Sequence, residues 1–184
     1  MAEGLLQHQM VERGVPGRVS SAGLVYEGEP AEPLAIEAMA GHGLDIAPHR
    51  SRRLAAGLLA DVDLVLGMER RHVREVVVLE PSTMPKAFTL KELVRRGEAE
   101  GPRRPERSVD DWLAAVAEDR TPNEHLGMSP ADDVADPLGG TLGHFRRTAL
   151  ELDDLTSRLA DLLWPGPVPA PVAPETHSHV HGGP

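Results

Sequence analysis

Apolar positions near the C-terminal end fall at Leu142, Phe145, Ala149, Leu152, Leu155, Leu159 and Leu162. Steps of three and four put them on one stripe of a long helix. At the other end, Ala2, Leu5, Leu6 and Met10 share a helical face that Gly14 and Pro16 terminate. No residue ahead of that face is placed to cap it. Pro33 suits the first turn of a helix carrying Leu34, Ile36, Ala38 and Met39, closed by Gly41 and Gly43. Ser51 is expected to cap a further helix holding Leu54, Leu58 and Leu59.

Between these lie compact runs with strand character. Arg18–Val25 (RVSSAGLV) predicts a short strand running into a loop, and Val62–Leu66 (VDLVL) resembles a buried parallel strand. Helical spacing returns over Glu69–Leu79, followed by a strand at Lys86–Leu90 (KAFTL) and a helix through Leu93 and Val94. Gly97–Arg107 is polar and proline-broken, hence a loop. Val109–Val116 reads as a short helix with Trp112 on its packed side. Residues 119–141 read as a long loop containing Asp132, Asp133 and Asp136. Strands alternating with helices predict an α/β fold with a parallel sheet flanked by helices. After Trp164 the composition shifts to PGPVPAPVAPETHSHVHGGP, a Pro/His-rich flexible tail over 164–184.

A length of 184 residues with 40% apolar content is sufficient for one domain with a real core. The formal net charge of −10 argues against nucleic acid or an anionic membrane as partner, since phosphate attraction dominates such binding. MAEGLLQHQM lacks the features of a signal peptide, and no apolar run nears the roughly 20 residues that span a bilayer. The expected location is cytoplasmic. The chain has no cysteine, which excludes disulfides, thiolate metal sites and a cysteine nucleophile within it.

Three groups of residues carry candidate chemistry. His177, His179 and His181 alternate in the tail and are either metal ligands or a flexible His-rich end; without a fixed second shell they would bind weakly. His8, His42, His49, His72, His125 and His144 lack metal-site spacing and read as surface or loop residues. Arg50, Arg52 and Arg53 beside Ser51 are either an anion site at a helix start or a solvated basic patch. In Asp136-Pro137-Leu138-Gly139-Gly140, the aspartate is either a general acid on a turn before the last helix or a turn former.

In order along the chain, MAEGLL (1–6), SAGL (21–24), HRSRRL (49–54), DVDLVLGM (61–68), KAFTLKEL (86–93) and DVADPLGG (133–140) resemble the low-molecular-weight protein tyrosine phosphatase family. KAFTLKEL with Asp-Pro-x-Gly-Gly is most similar to its bacterial branch containing protein arginine phosphatases. The resemblance covers 1–163, with an insertion at about 97–131. It implies a hydrolase of phosphorylated protein side chains, phosphotyrosine or phosphoarginine, that needs neither cofactor nor metal. A cysteine thiolate would attack phosphorus while loop amides and an arginine stabilise the equatorial oxygens. Asp136 matches the general acid, and Leu138 takes the place of an aromatic residue that lines the substrate slot.

In the family, a central first strand and a loop with cysteine, five residues, arginine and Ser-Pro directly precede the Met-Ala-Glu segment. The expectation is therefore an N-terminally truncated domain whose central strand and nucleophile lie upstream, testable by reading the preceding DNA in frame. Within the 184 residues the phosphatase would be inactive; the alternative is a non-catalytic pseudophosphatase serving as a binding or regulatory module. An arsenate reductase is disfavoured because it needs several cysteines. Oligomeric state is left open by the sequence.

Overall fold

The computed structural model describes residues 1–121 and 130–166. Helix α1 (Ala2–Glu12) begins without a side-chain cap, as its sequence predicts, and buries Leu5, Leu6 and Met10. Helix α2 (Pro33–Ala40) starts on its proline. Strand β1 (Val65–Gly67) leads into α3 (Arg70–Leu79), where Glu69 and His72 cap each other's backbone amides. A 3-10 turn at Pro81–Lys86 delivers the chain to β2 (Ala87–Thr89). The next residue opens α4 (Leu90–Glu100), and Thr89 with Glu92 forms a second reciprocal cap.

The strands are parallel, with Val65 opposite Ala87, Leu66 opposite Phe88 and Gly67 opposite Thr89. The chain passes from β1 to β2 through α3, the long helical crossover that a parallel pair requires. Among the described residues, no strand pairs with the other edge of β1. Helix α5 (Val109–Val116) is capped by Ser108, whose hydroxyl accepts the Asp111 amide at 3.0 Å. Helix α6 (Leu142–Leu163) realises the long apolar stripe and packs against α1, α2 and α4. The continuous core contains Leu5, Met39, Phe88, Leu93, Trp112 and Leu159. Trp112 is fully buried, and its indole N–H finds the Gly101 carbonyl at 2.9 Å.

Three sequence expectations fail. Arg18–Val25 forms no strand; its ordered feature is an isolated parallel bridge between Gly23 and Arg53. The helix expected after Ser51 is instead extended chain with one 3-10 turn at Ala56–Leu58. There Gly23 N–H donates to Arg52 O and Leu54 N–H to Gly23 O, both at 2.8 Å, so pairing with a distant segment claims the backbone. The Ser51 hydroxyl accepts the Glu29 amide rather than capping a helix. Finally, α4 runs to Glu100 through the stretch expected to be loop from Gly97. The Pro/His-rich tail from residue 167 lies outside the described residues.

Candidate active site

The carboxyl end of β1 meets the segment that carries the Asp-Pro-Leu-Gly-Gly turn. Val134 N–H donates to Met68 O at 2.8 Å, which lays this segment across the end of β1. The three nearby aspartates do not act as one acidic cluster. Asp132 is nearly buried and accepts from Arg70 and Arg95. Asp133 accepts the Arg70 backbone amide at 2.8 Å, satisfying a first-turn donor that α3 cannot satisfy itself. Asp136 alone is exposed.

Asp136 Oδ1 accepts the Leu138 amide at 3.0 Å, an Asx turn that fixes the carboxylate orientation. Pro137 fixes the following backbone angle. Gly139 has φ +77°, where a side chain would be strained, and a Cβ at Gly140 would lie 2.9 Å from the Pro137 carbonyl. The turn therefore needs both glycines before Thr141 and His144 cap α6. On the α6 side the turn borders an open depression of about 500 Å³ lined by Asp136, Leu138, Gly140, His144, Arg147 and Thr148. Leu138 is 59% exposed and forms an apolar lip. The arrangement offers a solvent-facing carboxylate on a rigid turn, a group able to give or take a proton.

His72 is not the surface residue its isolated position in the sequence suggests. Half-buried in the first turn of α3, its Nδ1 accepts the Glu69 amide at 3.3 Å. Burial lowers its pKa below the ordinary 6.5, while Glu69, Asp133 and Asp136 pull upward. Glu69 and His72 have the three-residue spacing of a reciprocal cap but neither of its usual residue types, so local pattern gives no signal for it.

Arg50 and Arg52 of the basic stretch are engaged with backbone carbonyls. Arg50 donates to the carbonyls of Ala47 and His49, and Arg52 to that of Ser21 at 2.9 Å. His49 instead approaches Glu3 at 3.6 Å, and Ser21 donates its hydroxyl to the same carboxylate. Among the described residues, no three metal-ligating side chains gather, and no helix is long and apolar enough to cross a membrane. His177, His179 and His181 lie outside the described residues.

Residues 1–118 match the family model for low molecular weight phosphotyrosine protein phosphatase, a match that ends short of Asp136. A probable low-molecular-weight protein-tyrosine-phosphatase EpsP of Ralstonia solanacearum is 35% identical over 118 residues, covering 63% of this chain and 78% of that protein. The crystal structure of a low-molecular-weight protein tyrosine phosphatase from T. tengcongensis superposes with a TM-score of 0.65 at 29% identity, covering 88% of each chain. The YwlE arginine phosphatase from Geobacillus stearothermophilus superposes at 0.61 and 28% identity, covering 87% of this chain and 80% of that one.

Proposed function

The chain belongs to the low-molecular-weight phosphotyrosine protein phosphatase family, and on that premise we propose that its fold serves the hydrolysis of phosphorylated protein side chains, phosphotyrosine or phosphoarginine, with Asp136 as general acid. The observation that carries this reading is the Asp136 carboxylate, exposed on a turn pinned by Pro137, Gly139 and Gly140 in the segment that meets the carboxyl end of β1. A carboxyl held there protonates the departing oxygen or nitrogen as the bond to phosphorus breaks. It then takes the proton from the water that releases phosphate from sulfur. Leu138 offers an apolar lip for the organic part of the substrate.

The 184 residues contain no cysteine. They cannot form a cysteinyl phosphate by themselves, so the reaction requires a Cys-x5-Arg loop joined ahead of α1. The same fact favours a second reading, a pseudophosphatase that binds partners without turnover. Hydrolysis of p-nitrophenyl phosphate, phosphotyrosine and phosphoarginine is to be measured on this chain and on a version carrying a first strand with Cys-x5-Arg-Ser-Pro. Turnover by the extended version alone supports the hydrolase. Silence from both, with both folded, leaves the binding module.

A further inference from the structure

We propose that Arg70 is a positioning residue for Asp136, fixing where the Asp-Pro turn sits relative to the end of β1; this rests on reading Asp136 as the proton donor. Arg70 occupies the first position of α3, and its side chain is only 3% exposed. One terminal nitrogen donates to Glu92 at 2.7 Å and the other to Asp132 at 3.0 Å. Its backbone amide donates to Asp133 at 2.8 Å. A single residue thus holds two consecutive positions of the segment that leads into Asp136.

Glu92 makes the clamp stiff. Its carboxylate also accepts from Arg120 Nε at 2.9 Å and from the Thr89 amide at 3.3 Å, so it is tied to the end of β2. Arg120 Nη2 in turn donates to the Ala87 carbonyl at 3.0 Å. Arg95 adds a second contact to Asp132 at 3.4 Å. The chain is then held at each step toward the turn: Val134 by the Met68 carbonyl, and Ala135 by the Thr148 hydroxyl at 3.3 Å. Asp136 follows directly, with its own bond to Leu138.

Placing buried charges has a large desolvation cost, so a buried ion pair is weak evidence for stability. What the pairing does supply is directionality. The planar guanidinium fork aligns two carboxylates from different elements, a geometry that lysine cannot reproduce with both partners. Catalytic groups lose their effect when misplaced by about 1 Å, so a fixed path from β2 to Asp136 has a functional consequence.

The test uses the 184-residue chain, with amide exchange and the Asp136 side-chain carboxyl carbon resonance as readouts. In Arg70→Met and in the milder Asp132→Ala, the amides of Val134 and Leu138 should exchange about tenfold faster, the equivalent of one lost hydrogen bond. The Asp136 resonance should move, and the amides of Leu152, Leu155 and Leu159 should keep their wild-type rates. Arg70→Lys should restore part of the protection. Unchanged loop exchange and an unchanged resonance in folded variants would overturn the proposal. So would equal acceleration in α6, which signals general loosening. If Arg70→Met does not fold, Asp132→Ala decides alone. No step of this experiment turns over a phosphate, so its failure removes the role of Arg70 and not that of Asp136.

Discussion

The guanidinium of Arg120 lies over the ring of Phe88, 4.1 Å from its centroid, with both residues withdrawn from water. The contact joins a cation–π attraction to the ion pair with Glu92, and burial draws the Arg120 pKa below its ordinary value against the pull of Glu92. Removing the cation would leave Glu92 dependent on Arg70 and Arg96. Arg120→Met should therefore destabilise the fold by about 3–5 kcal/mol, the usual result of breaking one half of a buried pair. Urea unfolding of wild type and variant measures this; a midpoint unchanged within error would show that the remaining arginines compensate.

Gly97 sits where α4 meets α5 and α6. A Cβ there would lie 2.9 Å from Trp112 Cη2 and 3.0 Å from Leu162 Cδ1. Alanine gains about 1 kcal/mol in helix propensity, but overpacking a filled core costs about 1–3 kcal/mol. The fully buried indole has little room to retreat, so Gly97→Ala should lower the melting temperature and alter Trp112 fluorescence. A higher melting temperature would show that the ring moves aside.

How far these relationships could be read in the sequence depends on their range. The α6 stripe, the Pro33 start and the short Val109–Val116 helix with Trp112 packed inward are local patterns, and the structure reproduces them. Leu54, Leu58 and Leu59 misled because the backbone near Leu54 pairs with Gly23, some thirty residues away, and tertiary pairing overrides local spacing. The placement of Asp136 on a glycine-dependent turn was legible in Asp-Pro-Leu-Gly-Gly. Its supports were not, because Arg70, Glu92, Arg120 and Asp132 lie on separate segments and each looks like an ordinary surface charge. Nor does spacing alone separate the three aspartates into an ion-pair partner, a helix cap and an exposed acid.

Asp136→Asn should leave stability almost unchanged, since the residue is exposed and asparagine can still accept the Leu138 amide. In the version carrying the Cys-x5-Arg loop, the same change should lower kcat by about 10²–10⁴-fold, the range of a lost general acid. The loss should be greater for phenyl phosphate than for p-nitrophenyl phosphate, because the poorer leaving group depends more on protonation. Equal losses on both substrates would argue that Asp136 only shapes the turn.

His72 supplies a pH test of the α3 start. Its folded pKa is below the ordinary 6.5, chiefly because burial disfavours the charged imidazole. The unfolded chain therefore takes up a proton first as pH falls. Stability from this group is full above about 6.5 and is lost progressively from there down through the lowered folded value. His72→Gln keeps an acceptor for the Glu69 amide, the residue type a reciprocal helix cap prefers, but cannot titrate. Between pH 7.5 and 5.5, about one pH unit either side of the ordinary value, the urea midpoint of wild type should fall more than that of His72→Gln. Parallel declines in the two proteins would assign the acid sensitivity to other groups and show that His72 is solvated in the folded state.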